Sequence, residues 1–199
     1  MPDVVPIGRL RGSTIGLVGF GRIPQLVVPK AQAFGMKVVA YDPFVPKDVF
    51  QKLGVEQVDF DRLLSASDYV SIHSPLVPET KGLFNADAFR KMKKTAYLVN
   101  TARGPIVDEA ALAAALDAGE IAGAALDVMT QEPPGSSPLF GRPNVVITPH
   151  TSFYSTEALV DLQTKATQEV VAVLSGKAPR NPVKDRKSTR LNSSHVALS

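Results

Sequence analysis

The sequence contains no cysteine. That removes disulfides, thiolate metal sites and a thiol nucleophile from consideration. No apolar run reaches the roughly 18 residues that a membrane helix needs, and the N-terminus lacks the pattern of a secretory leader. Neither a membrane span nor secretion is indicated, so cytoplasm is the expected location. Histidine is scarce, with three among 199 residues. The body of the chain also lacks a charge imbalance. The formal net charge is +3, but residues from Lys184 onward hold four of the 22 basic side chains and one of the 19 acidic ones, leaving eighteen of each sign in residues 1–183. A neutral body argues against nucleic acid as a partner. With 44% hydrophobic and 21% charged residues, the chain can bury one sizeable core, or one domain and part of another.

What is present is organised around residues 14–42. Thr14-Ile15-Gly16-Leu17-Val18-Gly19 is a short apolar run, residues 19–24 form a sharp turn, and a helical pattern follows to Phe34. Gly35 stops that helix, a second strand covers Lys37–Tyr41, and Asp42 stands at its end. This is the layout of a dinucleotide-binding unit. Gly19 and Gly21 let the turn approach a pyrophosphate, the helix N-terminus supplies N–H groups, and an acid holds the ribose hydroxyls. Asp42 would repel a 2′-phosphate, which favours NAD over NADP. Two residues fit poorly. Pro24 stands where the fingerprint has its third glycine, and Pro29 falls inside the helix, removing a bond to the Gln25 carbonyl at about 3 kcal/mol. A glycine turn that binds no phosphate is the plainer alternative.

Further strands are expected at 55–58, 69–73, 96–100, 121–126 and 145–148. Short helical patterns cover 47–53 and 59–64, helices capped by Asn85 and Asp108 run to about 92 and 118, and helical periodicity covers 155–174 with Gly176 as its stop. Residues 130–143 hold four prolines and two glycines and read as a long loop. Strands alternating with helices predict an α/β fold with a doubly wound parallel sheet. Gly19, Asp42, Ser74, Thr101 to Arg103, Asp127 and His150 all follow strands. In such sheets the carboxyl ends of the strands form the ligand crevice.

The chemistry-bearing residues lie at those ends. His150 suits reversible proton transfer, against the plainer reading of a structural histidine. Glu132, on the loop before the last strand, is placed to reach and orient it, or is simply a solvated acid. Arg103 offers a guanidinium fork to a substrate carboxylate and carbonyl, against a surface salt bridge. Asp127 either accepts from a nicotinamide amide or caps the next turn. His73 reads as structural or adenine-proximal rather than catalytic. No metal site is expected.

Asn100-Thr101-Ala102-Arg103-Gly104, Ala124-Ala125-Leu126-Asp127-Val128, Gln131-Glu132-Pro133 and Thr148-Pro149-His150 resemble the signatures of the D-isomer-specific 2-hydroxyacid dehydrogenases. The resemblance runs from about Leu10 to Val183. It implies a Rossmann cofactor domain of a two-domain enzyme, with NAD as cofactor and a small 2-hydroxy or 2-keto acid as substrate. Arg103 would bind the substrate carboxylate, with Glu132 and His150 as the acid/base pair. Cofactor contacts carry over to Arg22 and Ile23 at the pyrophosphate, Asp42 at the ribose, and Ser74, Pro75, Thr101, Ala102 and Asp127. Phe153-Tyr154-Ser155 and Arg180-Asn181-Pro182-Val183 look most like the branch near C-terminal-binding protein and phosphoglycerate dehydrogenase. That branch leaves open an NAD(H)-sensing corepressor-like regulator without turnover. A methyltransferase or flavoprotein with a similar glycine turn would have no use for the Arg–Glu–His set.

The expected organisation is an NAD-binding domain over 1–152, a helix over 153–184 that returns to a substrate domain, and a non-native or disordered tail over 185–199 that resembles translated adapter sequence. Most of the substrate domain would precede Met1 in this family. The chain is therefore expected to be a fragment that does not turn over a 2-hydroxy acid alone, and to pair as a homodimer through the cofactor domain when full-length.

Overall fold

The computed structural model describes residues 8–180 and residue 182; the expected tail at 185–199 lies outside them. The chain divides into two compact units, Met1–Ser152 and Phe153–Ser199. In the first, seven strands form one sheet: β1 (Thr14–Val18), β2 (Lys37–Tyr41), β3 (Glu56–Gln57), β4 (Tyr69–Ile72), β5 (Tyr97–Asn100), β6 (Gly123–Leu126) and β7 (Val145–Ile147). Their spatial order is β3-β2-β1-β4-β5-β6-β7 and every pairing is parallel. All carboxyl ends therefore share one edge. The helices are α1 (Arg22–Ala33), α2 (Lys47–Lys52), α3 (Phe60–Ala66), α4 (Ala86–Lys91) and α5 (Glu109–Asp117), with a single 3-10 turn at Gly104–Ile106.

Side-chain alternation along the central strands feeds two cores. Leu17, Val38 and Ala40 face one side with Phe20, Val28 and Phe50, while Val18 and Val39 face the other with Leu63, Leu98, Phe89 and Leu112. A parallel sheet covered on both faces needs apolar residues on both, which is why β1 and β2 read as continuous apolar runs. The helix starts follow from their caps. Asp59, Asn85 and Asp108 each accept a backbone N–H of the first turn through the side chain, each such cap stabilising by about 1 kcal/mol.

Three expected strands begin too early. Val55, Ala96 and Ile121 are buried but precede the paired residues of β3, β5 and β6. Burial extends past the ladder there, and an apolar pattern reports only burial. The 3-10 turn was not expected. It is held by Gly82 N–H to Pro105 O at 2.9 Å and Phe84 N–H to Ile106 O at 3.1 Å.

The second unit contains α6 (Thr156–Leu174), capped by Ser155, whose Oγ accepts from Ala158 N–H at 3.0 Å. No residue of α6 is buried, and Val160, Leu162, Val170, Val171 and Leu174 are exposed.

Helix α1 runs through Pro29 without a break. Pro24 is buried in its underside and Pro29 faces solvent, so Pro29 contributes little packing while denying the Gln25 carbonyl its donor. Pro29→Ala is expected to raise the thermal midpoint, by roughly 2–4 °C for each kcal/mol recovered. A lower midpoint in a calorimetric scan would mean that the ring is part of the packing.

Candidate active site

The crevice begins at Gly19, at the end of β1. Its φ is 88°, and a Cβ there would lie 2.8 Å from Ser74 N and 2.9 Å from the His73 carbonyl carbon. Only glycine can stand there. Phe20 follows, fully buried and stacked on Phe50 with centroids 4.3 Å apart. Gly21 then opens α1 with no side-chain cap and nothing within 4 Å of a notional Cβ. Arg22 and Ile23 are exposed at this first turn, whose N–H groups have no intrahelical partner. An uncapped helix N-terminus above open space suits a pyrophosphate. Pro24 has no N–H to offer, so the donors fall to Arg22 and Ile23.

Asp42, at the end of β2, is tied to the same turn. Its Oδ2 accepts from Phe20 N–H at 2.8 Å and its Oδ1 from Phe44 N–H at 2.9 Å, while Gln57 Nε2 donates to its backbone carbonyl at 3.2 Å. Two of about four acceptor positions on the carboxylate are taken, leaving capacity for ribose hydroxyls. At the end of β4, Ser74 is buried and its Oγ has no partner among the described residues. Pro75 is exposed and its carbonyl accepts from Thr80 Oγ1 at 2.6 Å. An orphaned hydroxyl beside the glycine turn fits a site made for a polar ligand. His73 bonds Ser71 Oγ at 2.9 Å, and burial pushes its pKa down to about 4. It is neutral at physiological pH and occupied inside the fold.

At the end of β5, Asn100 is fully buried and shapes the next three residues. Its Oδ1 accepts from Ala102 N–H at 3.0 Å and its Nδ2 donates to Arg103 O at 3.0 Å. Thr101 and Arg103 are exposed, and the Arg103 guanidinium donates to Ala102 O at 2.6 Å. Gly104 lets this loop meet the one after β6: a Cβ there would lie 2.0 Å from Met129 C and O. Asn100 was not foreseen as a site residue, although a polar residue ending an apolar strand was the available signal.

Asp127 ends β6 and organises the turn that carries His150. Its Oδ1 accepts from Thr148 Oγ1 at 2.5 Å and Thr151 N–H at 2.8 Å, and its Oδ2 from Ser152 N–H at 3.0 Å. Burial works to raise its pKa, but the Thr148 hydroxyl and the Ser152 and Thr151 N–H groups outweigh it and hold the group at about 2. The turn-capping role is thus occupied, by Thr148, Thr151 and Ser152 together.

His150 has φ 54°, in the left-handed region, and its N–H bonds to Asp127 O at 2.8 Å and Thr148 O at 3.0 Å. Its Nδ1 lies 2.7 Å from Glu132 Oε2, and Glu132 Oε1 accepts from Met129 N–H at 3.0 Å. The His150 bond, more than any other influence, holds the Glu132 carboxyl below its ordinary pKa. An ionised carboxylate only accepts, so Nδ1 carries the proton. Glu132 and His150 are thus brought together. Arg103 stands two strands from β7 and bonds to neither. Among the described residues no group of acids and histidines forms a metal cluster, and no helix is long and apolar enough to cross a membrane.

A doubly wound sheet whose strand-order reversal admits no side chain, with an acid at the end of the neighbouring strand, is a dinucleotide-binding domain of the Rossmann type. The chain belongs to the D-isomer specific 2-hydroxyacid dehydrogenase family, whose NAD binding domain matches residues 2–152. It is 42% identical over 176 residues to a D-3-phosphoglycerate dehydrogenase of Methanocaldococcus jannaschii, covering 88% of this chain and 34% of that protein. It is 48% identical over 173 residues to a glyoxylate reductase of Thermofilum pendens, covering 86% and 51%. A D-isomer specific 2-hydroxyacid dehydrogenase from Lactobacillus delbrueckii, solved with NAD, superposes with a TM-score of 0.83 at 35% identity, over 92% of this chain and 60% of that one. The chain spans about a third of the length of the phosphoglycerate dehydrogenases it matches.

The low pKa of Asp127 has a consequence for stability. A carboxyl held at about 2 when folded, against an ordinary 3.8, contributes fully above about pH 4 and loses that contribution as pH falls towards 2. The amount is about 2 kcal/mol at neutral pH. Asp127→Asn should therefore lower the midpoint at pH 7 and flatten the acid limb between pH 4 and 2. Parallel acid limbs for the two proteins would show that the bonds at Asp127 carry no net stability.

Proposed function

We propose that this domain serves an enzyme that interconverts a D-2-hydroxy acid and its 2-keto acid. The observation that carries the reading is the Glu132–His150 hydrogen bond of 2.7 Å, on the same sheet edge as the glycine turn and Arg103. Bound NAD accepts or supplies the hydride. Gly19 and Gly21 would leave room for the pyrophosphate, the Arg22 and Ile23 amides would donate to it, and Asp42 would accept from the ribose hydroxyls. Ser74, Pro75, Thr101, Ala102 and Asp127 would hold the rest of the cofactor.

Arg103 presents its fork to the substrate carboxylate and draws electron density from the carbonyl oxygen. His150 takes the hydroxyl proton on Nε2 during oxidation and returns it during reduction, while Glu132 keeps the ring oriented and stabilises its charged form. The family and the named activities of its relatives support this reading, and family membership also favours the D-hydroxy acid.

NADH should bind the 199-residue chain more tightly than NADPH, because the Asp42 carboxylate accepts hydroxyls and repels a 2′-phosphate. Fluorescence titration of both decides it, and equal affinities would take Asp42 out of the role. In a full-length protein containing this domain, His150→Ala should lower kcat/KM for a responsive 2-keto acid by about 100-fold or more, with Arg103→Ala raising KM as well. A full-length protein that binds NADH but reduces none of a panel of 2-keto acids would favour the corepressor-like regulator.

A further inference from the structure

The loop between β6 and β7 has no regular structure over most of its length, yet it must hold the Glu132 carboxylate against His150. Ordering such a loop costs conformational entropy at every residue, so it needs fixed points. We propose that Glu109, the first residue of α5, is a positioning residue that clamps this loop on both sides of Glu132. The proposal rests on reading Glu132 and His150 as the acid/base pair.

Both oxygens of Glu109 leave the helix for the loop. Oε1 accepts from Thr130 N–H at 2.7 Å, and Oε2 accepts from Ser137 Oγ at 2.8 Å. Residues 130 and 137 bracket residue 132. On the far side, Ser137 Oγ also accepts from the N–H of Leu139, which is buried. On the near side, the adjacent N–H groups of Met129 and Thr130 go to two different glutamates, Glu132 and Glu109. The backbone of Gly104 presses on the same two residues, with no space for a Cβ. The arginine loop, the clamp and the Glu132 anchor therefore meet at one peptide.

An acid in the first turn of a helix ordinarily complements the helix dipole. That reading does not account for Glu109, since Asp108 already caps α5 through Ala110 and Ala111 N–H. The Glu109 bonds instead reach 21 and 28 residues along the chain. A displacement of about 1 Å at a catalytic group costs roughly 100-fold in rate, so a two-point clamp on the loop acts directly on the geometry of His150.

The test uses imidazole nitrogen NMR of His150 in the 199-residue chain at alkaline pH, where imidazoles are neutral. An unrestrained imidazole prefers its proton on Nε2; the Glu132 acceptor places it on Nδ1. Glu132→Ala is the control. If it leaves the Nδ1–H signature intact, the pair itself is absent and the acid/base reading fails, whatever Glu109 does. With the control positive, Glu109→Ala should lose the Nδ1–H signature, Ser137→Ala should lose part of it, and Glu109→Gln should keep it. The amide can accept from Thr130 N–H and donate to Ser137 Oγ. An unchanged His150 spectrum in Glu109→Ala overturns the clamp. So does a loss that Glu109→Gln fails to restore, which would assign the effect to charge at the start of α5. If Glu109→Ala does not fold, Ser137→Ala decides: a partial shift supports the clamp and an unchanged spectrum overturns it.

Discussion

No side chain can stand at residue 19, and the rest of the site follows from that constraint. β1 pairs with β2 on one side and β4 on the other, so the chain must leave in one direction and return from the opposite one. The ends of the three strands are laced together by Gly19 N–H to Tyr41 O at 2.8 Å and His73 N–H to Val18 O at 2.7 Å. This brings Ser74 against the Gly19 Cα and leaves the space above Gly21 open. Burying Phe20 on Phe50 anchors the turn, and the Phe20 N–H fixes the Asp42 carboxylate. The acid that would select the cofactor and the turn that would admit it are one mechanical unit.

The other half of the sheet edge is held differently. Past Asn100 and Leu126 the backbone has little regular hydrogen bonding, and buried or half-buried polar side chains take over. Asn100 folds the arginine loop back on itself, Asp127 gathers residues 148, 151 and 152, and Glu132 takes Met129 N–H. His150 sits in a left-handed conformation that costs a non-glycine residue about 1–3 kcal/mol. The bonds of its own N–H and the ordered turn around Asp127 offset that cost. Strain at this position is consistent with a ring held where the crevice needs it rather than where the backbone would relax.

How much of this was legible depends on the distance over which each feature acts. Helix starts at Asp59, Asn85 and Asp108 could be read because a cap and its N–H lie within three residues of each other. The alternation of strands with helices marked a doubly wound parallel sheet. The strand-end rule placed Gly19, Asp42, Arg103, Asp127 and His150 on one edge before any coordinates. Strand starts were misplaced at Val55, Ala96 and Ile121 because burial does not imply pairing. The 3-10 turn after Arg103 escaped because the donors that anchor it, Gly82 and Phe84 N–H, lie far along the chain. Nothing local in the sequence set Gly104 against Met129, or Glu109 against Thr130 and Ser137. Contacts separated by twenty or more residues leave no local pattern to read.

The electrostatics of the crevice follow from where its acids are spent. Asp42, Asp127, Glu132 and Glu109 all lie at or near the strand ends, and four carboxylates there would ordinarily repel an anionic substrate. Each is instead hydrogen-bonded in place. Backbone N–H groups occupy two positions of Asp42 and two of Asp127, and Glu132 and Glu109 divide the Met129 and Thr130 N–H groups between them. A charge-assisted bond to a fixed backbone donor is short-ranged and needs no mobile counter-ion. Arg103, by contrast, is satisfied in the structure by a neutral carbonyl, Ala102 O, which it can exchange for a carboxylate with a gain in charge complementarity. The edge therefore pairs its negative charges with amides and keeps a guanidinium outward. That arrangement lets four acids supply geometry while Arg103 is left turned outward.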